Sequence, residues 1–334
     1  MEKIKYAVIG LGWFGEKHCE VIDGLPNAEL YALSTRTPER LQEVAQRFGV
    51  EHTYTDYREL LANEEVDAVS ITTMWDQHAQ PSLDSLAAGK HVFLEKPMAS
   101  TVEDCAAIVD AAKKASGKFM VGHICRFNPR YAAAKAAIDE GRIGEIVSMY
   151  ARRNLPRWIV TDILNKIGPI IGDGVHDTDL MLWYSGAKVV SAYAQTLNVT
   201  GKKYPDIGAT MYRFDNGAIG ILENVWYLPE KTAFQIDERM EIVGTKGAIS
   251  IHDTHPNFSI TDDDGWHSLD TTYWPEIHGI RSGALREELF YFVDCVQRNV
   301  EPSVISPEDS MAAVEACLAA EKSAETGTIV MLNQ

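Results

Sequence analysis

A glycine-rich segment close to the N-terminus has the spacing that binds the phosphates of a dinucleotide. Gly10, Gly12 and Gly15 form a G-x-G-x-x-G pattern that encloses Trp13 and Phe14, directly after a strand-like run and before a helical one. The first glycine permits a tight turn, the second lets the backbone approach a pyrophosphate, and the third allows close packing of helix on strand. The helix N-terminus adds free N–H groups and partial positive charge. We therefore predict that these five residues bind a dinucleotide.

The residues that should choose between NAD and NADP lie about 20 positions further on, at the end of the second strand. They are Ser34, Thr35 and Arg36. An acidic residue at this point would bind the adenosine 2′-hydroxyl of NAD and repel a 2′-phosphate, and none is present. Arginine forms charge-assisted hydrogen bonds to phosphate. We expect NADP(H) to be favoured over NAD(H), unless Arg36 only stacks on the adenine and NAD is used.

Two later segments carry candidate catalytic groups. Glu95 and Lys96 stand before Pro97 and directly after an apolar strand, at the edge where open α/β sheets bind ligands. Asp173 and His176 lie at the start of an amphipathic helix. Because they are three positions apart, they can share one face of its first turn.

A metal site is not expected in this chain. His176, Asp177 and Asp179 stand at i, i+1 and i+3, so they do not converge on one face of a helix, and no other histidine or cysteine grouping has ligand spacing. Asp177 is instead expected to be a solvated or helix-capping residue.

The elements that position these segments indicate two domains. Residues 1–122 alternate short apolar runs with helical periodicity, which is typical of an α/β Rossmann domain with a doubly wound parallel sheet. Residues 123–334 indicate an α+β domain with a large, mainly antiparallel, open-faced sheet and helices at its ends. Its predicted strands are 146–153, 189–197, 210–214, 218–226 and 239–243, and its last helix is 307–324. Asp215-Asn216-Gly217 predicts a hairpin turn.

Composition excludes several classes of protein. A chain of 334 residues suits two domains, and its net charge of −17 disfavours nucleic acid and anionic membranes as partners. The five cysteines are scattered without a C-x-x-C pair, which indicates reduced thiols. We predict no signal peptide, and we find no apolar run of the about 20 residues needed to span a bilayer. These features predict a cytoplasmic protein.

The chain resembles the glucose-fructose oxidoreductase, inositol dehydrogenase and MocA (Gfo/Idh/MocA) family over essentially its whole length. The resemblance rests on the glycine motif, the Thr73…His78-Ala79 element, Glu95-Lys96-Pro97, the segment 122–131, the turn at 141–144 and the helix start at 176–179. Members typically oxidise or reduce a ring carbon of a sugar, polyol or nucleotide sugar. Their second domain carries a large open sheet for substrate binding and oligomerisation.

The resemblance implies catalytic roles for three residues. Lys96 matches the acid/base lysine, and His176 matches the histidine that binds the reacting hydroxyl and assists proton transfer. In many members an acidic residue stands four positions before that histidine, where this chain has Gly172, with the acid one place later at Asp173. Asp173 either fills the third catalytic position after a local shift or only caps the helix.

The resemblance also implies residues that line the cofactor. Thr73, Met74, Trp75 and His78 match the loop along the dinucleotide, with Trp75 alternatively a packed aromatic on the cofactor's flank. Glu95 and Lys96 are expected beside them. Arg126 matches a position near the nicotinamide, or it forms an interdomain salt bridge.

Three hypotheses about the function follow. The first is an NAD(P)-dependent dehydrogenase or reductase of a sugar-like substrate. The second is a non-catalytic dinucleotide-binding regulator on the same fold. The third is a dehydrogenase of a non-sugar, such as an aromatic diol. The acid/base residues Lys96 and His176 favour an enzyme. An uncovered sheet face in the second domain predicts a homodimer or a homotetramer.

Overall fold

The computed structural model describes residues 2–252 and 258–332, which form two compact units. The first unit holds residues 2–127 together with 272–311, and the second holds the described parts of 128–271 and 312–332. The expected division at residues 122 and 123 differs from this arrangement. Residues 123–127 and the later segment 272–311 belong with the first unit, which no local pattern indicated.

The first unit contains a six-stranded, fully parallel sheet in the order β3-β2-β1-β4-β5-β6. Its strands are β1 Ile4–Ile9, β2 Ala28–Ser34, β3 His52–Tyr54, β4 Ala68–Ile71, β5 His91–Glu95 and β6 Phe119–Gly122. Strands β4 and β6 are buried at every residue, as expected for parallel strands covered on both faces. This strand order is that of a Rossmann fold, so the predicted doubly wound sheet is confirmed.

Local signals explain most helices of this unit. They are α1 Trp13–Asp23, α2 Pro38–Phe48, α3 Tyr57–Leu61, α4 Ala79–Ala87, α5 Val102–Lys114 and α10 Ala284–Arg298. In α2, Leu41, Val44 and Ala45 form the buried stripe, and Gly49 ends the helix at φ 68°. The Thr101 hydroxyl accepts the Asp104 N–H and so caps α5, as its sequence predicts.

Helix α10 explains why residues 272–311 return to the first unit. A short hairpin, β15 Glu276–Ile277 and β16 Ile280–Arg281, precedes it. The ring of Phe292 on α10 packs edge-on against Tyr6 of β1 at 6.4 Å and against Phe93 of β5 at 5.7 Å between centroids. All three rings are fully buried, so α10 completes the core on one face of the parallel sheet.

The second unit contains a seven-stranded sheet in the order β12-β11-β7-β10-β9-β8-β17. Its strands are β7 Ile146–Asn154, β8 Val189–Leu197, β9 Ile207–Phe214, β10 Ile219–Val225, β11 Asp237–Gly244, β12 Ala248–His252 and β17 Val330–Met331, and a separate hairpin is formed by β13 Ser259–Asp262 and β14 Gly265–Ser268. Only β7 and β10 pair in parallel within the described sheet. The predicted mainly antiparallel sheet is therefore confirmed.

The helices of the second unit cover one face of its sheet rather than its ends. They are α6 Pro129–Asp139, α7 Arg157–Val160, α8 Pro169–Gly172, α9 Gly174–Ser185 and most of α11 Pro307–Thr326. Thr178 of α9 contacts both Tyr212 of β9 and Cys317 of α11 in the buried layer. On the opposite face, Met211 and Ile221 are 49% and 40% exposed. The open face was predicted, whereas the position of the helices was not.

Among the residues that the structure describes, no helix combines the length and the apolar character needed to cross a membrane.

Candidate active site

The glycine turn of the first unit is tight at two of its glycines and open at the third. Gly10 has φ of +100°, and a Cβ there would lie 2.8 Å from the backbone of Thr72 and Thr73. A Cβ on Gly15 would lie 2.0 Å from the Gly10 carbonyl oxygen, whereas one on Gly12 would meet nothing within 4 Å. The space at Gly12 fits the close approach of a pyrophosphate, so the turn suits a dinucleotide.

The N-terminal end of α1 faces this space, and its backbone N–H groups can donate to a ligand there. Gly12 is its N-cap residue and provides no side-chain cap. The helix begins at Trp13, directly after Gly12. Trp13 is 62% exposed and stacks on Phe14, and both rings contact the edge of Trp274 at 5.6 and 5.7 Å. Sequence reasoning did not connect Trp274 to this site, because it stands far along the chain.

The cofactor-selecting residues lie at the end of β2. The Ser34 carbonyl accepts the Gly10 N–H at 2.8 Å, which fixes the glycine turn to the strand end. Arg36 is exposed and donates to the neutral Gln77 side chain at 2.9 Å. No carboxylate of the described chain lies within ion-pair distance of Arg36. Within the described ranges, its guanidinium therefore pairs with a neutral amide and not with an acid.

The loop after β4 is braced by His78. Its ring nitrogens lie 2.8 Å from the Pro97 carbonyl and 3.0 Å from the Thr73 carbonyl, and its burial lowers its pKa. The buried His78 ring therefore ties this loop to the segment after β5, and its expected place along the dinucleotide stays a prediction. Met74 is exposed and Trp75 is half-buried, so both keep surface toward solvent.

Lys96 follows β5 and is half-buried beside a cis peptide bond to Pro97. Its backbone N–H donates to the Glu95 carboxylate at 3.2 Å. The other oxygen of Glu95 lies 3.0 Å from Nε2 of His18, whose Nδ1 lies 3.0 Å from the Ser70 hydroxyl. Glu95 is thus a buried acceptor that fixes the Lys96 backbone. His18 and Ser70 were missed, because neither belongs to a motif.

In the second unit, Asp173 and His176 lie in one turn at the start of α9, as predicted. The His176 N–H donates to the Asp173 carbonyl at 3.0 Å, and the histidine is almost fully buried. Asp173 is the N-cap residue, yet its side chain makes no capping bond. Its Oδ2 instead accepts the indole N–H of Trp226 at 3.0 Å. The alternative that Asp173 only caps the helix is therefore wrong.

Asp177 is not the solvated or capping residue that its position suggested. It is fully buried and receives two hydrogen bonds from Arg153, at 2.9 and 3.1 Å. Arg153 also donates to Glu238 at 2.5 Å. Burial raises the pKa of Asp177, and the Arg153 charge opposes that shift. Since one helical position turns Asp177 away from His176, its carboxylate faces β7 instead of the surface.

Arg126 forms a salt bridge within its own unit, and not the interdomain salt bridge that was the alternative prediction. Its side chain is buried, and Nη1 donates to the Val304 carbonyl at 2.6 Å and to the Asp309 carboxylate at 3.2 Å. Both partners belong to the same unit as Arg126. Its expected contact with a cofactor stays a prediction.

Within the described ranges, no group of three or more histidine, cysteine, aspartate or glutamate side chains could hold a metal ion. The structure thus gathers the glycine turn, the residues at 34–36, the loop at 73–78 and Lys96 in the first unit, and Asp173 with His176 in the second.

Comparison with known proteins places both halves of the chain in one family. Residues 4–123 match the GFO_IDH_MocA model, an oxidoreductase family with an NAD-binding Rossmann fold, and residues 131–250 match a GFO/IDH/MocA C-terminal domain. The chain is 29% identical over 338 residues to myo-inositol 2-dehydrogenase of Thermotoga maritima, covering 99% of both. It is also 29% identical over 339 residues to scyllo-inositol 2-dehydrogenase (NAD(+)) of Bacillus subtilis, covering 99% of this chain and 97% of that one.

A solved structure has the same fold. Scyllo-inositol dehydrogenase from Lactobacillus casei, with bound NAD(H) and scyllo-inositol, superposes with a TM-score of 0.85 over 99% of both chains, at 24% identity.

Proposed function

We propose, since this chain belongs to the Gfo/Idh/MocA family of oxidoreductases, that it moves a hydride between a nicotinamide dinucleotide and a ring CH–OH carbon of a cyclic polyol. Relatives that match over nearly the whole chain are named inositol 2-dehydrogenases, so inositols are the first substrates to test. The observation that carries the proposal is the glycine turn, where tight packing at Gly10 and Gly15 leaves open space at Gly12. The dehydrogenases among the relatives favour an enzyme over a regulator.

The chemistry requires a proton acceptor for the substrate hydroxyl. When an alcohol is oxidised, its O–H proton must leave as the C–H hydride departs, so a base must reach that oxygen. When bound, the nicotinamide accepts the hydride. We propose that Lys96, whose backbone is fixed by Glu95, accepts this proton. We propose that His176 binds the substrate hydroxyl. Asp173 is the acid that accompanies His176 in its helical turn.

The cofactor that we propose as preferred is NADP(H). Two features support this choice: residues 34–36 contain no carboxylate to repel a 2′-phosphate, and among the described residues the charge of Arg36 has no acidic partner. The relative from B. subtilis is named for NAD(+), so both cofactors must be measured side by side.

We propose a homodimer, or a tetramer of such dimers, formed through the open face of the second unit's sheet. Met211 and Ile221 are paired neighbours at its centre and remain exposed within one chain. On the same face, Arg152 of β7 pairs with Glu223 of β10. This face therefore carries both apolar side chains and oppositely charged ones. An exposed apolar sheet face is an aggregation hazard, and association through it removes that hazard.

The cysteines support a reducing location. All five are buried free thiols. Since oxidising compartments favour disulfides, we propose that the protein works in the cytoplasm.

The proposed activity is tested by following reduced-nicotinamide absorbance with myo-inositol, scyllo-inositol, aldoses and nucleotide sugars, each with NAD and with NADP. Lys96→Met should lower kcat by roughly 10²- to 10⁴-fold with little change in dinucleotide affinity, because a general base is lost. Lys113→Met is the matched control, since Lys113 is exposed and pairs with Glu308. Dinucleotide binding without turnover of any cyclic polyol would reject the proposed function, and a fully active Lys96→Met variant would reject the role of Lys96.

A further inference from the structure

Trp226 occupies the space beside Gly172 in the second unit. The indole follows β10 and is only 2% exposed, and its backbone N–H donates to the Asp206 carbonyl at 2.8 Å. A Cβ added at Gly172 would lie 2.6 Å from Cη2 and 3.1 Å from Cζ2 of this ring. No side chain fits at position 172 unless the indole moves. The glycine at position 172 and the position of the Trp226 indole therefore depend on each other.

The same indole orients the neighbouring acid. Its Nε1–H donates to Asp173 Oδ2 at 3.0 Å, and α9 makes no capping use of that carboxylate. A hydrogen bond to an ionised acceptor is roughly twice as strong as a neutral one. The Trp226 indole, and not a capping bond at the helix end, therefore holds Oδ2 of Asp173.

Of the three carboxylates at the start of α9, only Asp173 has surface that a substrate can contact. Asp177 and Asp179 are fully buried, and Asp177 is occupied by Arg153. Asp173 is half-buried. Its carbonyl accepts the His176 N–H, so the acid and the histidine keep a fixed relation within one turn.

We propose that Trp226 is a positioning residue that excludes a side chain at Gly172 and holds Asp173 as the acid working beside His176. This inference rests on the proposed function. It assigns the third catalytic position of this chain to Asp173 and gives the Trp226 indole N–H the role of orienting that carboxylate.

A double-mutant cycle tests the assignment. Trp226→Phe keeps an aromatic side chain at this position and removes the N–H, and Asp173→Asn keeps the size and removes the charge. Trp226→Phe should lower kcat on the polyol about 10- to 100-fold, with substrate KM and dinucleotide affinity unchanged, because a hydrogen bond to a charged group is lost. Adding it to Asp173→Asn should cost little more. Trp183→Phe, on α9, is the control and should keep wild-type kcat.

A tryptophan that is merely structural gives other results. The effect of its substitution on kcat would add in full to that of Asp173→Asn. Either full additivity or a wild-type kcat in Trp226→Phe overturns the inference.

A second measurement needs no turnover. In protein carrying isotope-labelled tryptophan, the indole N–H resonance of Trp226 is identified by its absence in Trp226→Phe. It should shift in Asp173→Ala, while the Trp183 resonance stays in place. An unmoved Trp226 resonance overturns the inference. If the wild-type protein oxidises no cyclic polyol, the proposed function fails, and this resonance still decides whether Trp226 holds Asp173.

Discussion

Two alanine substitutions in the glycine motif should impair different properties: Gly12→Ala should lose dinucleotide affinity, and Gly15→Ala should lose stability. A methyl group on Gly12 meets no atom within 4 Å, so Gly12→Ala should fold normally. Its backbone φ of −69° suits alanine, and exchanging glycine for alanine at an N-cap changes stability by no more than about 1 kcal/mol. The methyl group would nevertheless fill the space that we assign to the pyrophosphate.

The expected loss is therefore in binding. If the phosphates are pushed off one or two N–H groups at the start of α1, each lost bond costs about 1.5 to 3 kcal/mol. Dinucleotide affinity should fall at least 10-fold, as measured by quenching of intrinsic tryptophan fluorescence. The melting temperature of Gly12→Ala should stay close to that of the wild type.

Gly15→Ala should instead lose stability. Its Cβ would lie 2.0 Å from the Gly10 carbonyl oxygen, a backbone atom that cannot swing aside. Helix α1 must move away from β1, and we expect a cost of about 3 kcal/mol or more. Gly24→Ala is the control, because Gly24 has φ of −84° and its Cβ would meet its nearest neighbour at 3.5 Å. Wild-type dinucleotide affinity in Gly12→Ala would refute this placement of the pyrophosphate.

Three further predictions concern the cofactor, the pH dependence of stability and the assembly. Arg36→Ala should weaken NADPH by about 1.5 to 3 kcal/mol and NADH much less, and Thr35→Asp should prefer NADH; a wild-type protein that binds NADH more tightly contradicts the proposed preference. Burial raises the pKa of Glu321 from 4.5 to about 7, so between these pH values the folded state holds a proton that the unfolded state releases. The contribution of Glu321 to the free energy of unfolding therefore falls by about 3 kcal/mol as pH rises from 4.5 to 7. Glu321→Gln should flatten that fall in urea unfolding measured across this pH range, and an unchanged slope would count against the buried acid. Light scattering should give at least twice the chain mass of 37.1 kDa, and Ile221→Glu should shift it toward the monomer; a wild-type monomer at micromolar concentration refutes the dimer.

The sequence determined the elements whose signals are local. Strand β8 and the hairpin between β9 and β10 follow from alternation of apolar residues and from Asp215-Asn216-Gly217, which has Gly217 at φ 89°. The glycine motif, Lys96 and the shared turn of Asp173 and His176 were found for the same reason. Each depends on spacings of a few residues, which backbone geometry converts directly into position.

The tertiary structure decided what depends on residues far apart in the chain. The His18 contact with Glu95 spans 77 positions, and the Trp226 contact with Asp173 spans 53. Asp177 looked like a surface residue until β7 placed Arg153 against it. A side chain's charge and helical position show what it can bind, but only packing determines which partner reaches it, because burial makes an unpaired polar group costly and selects the partner that relieves that cost.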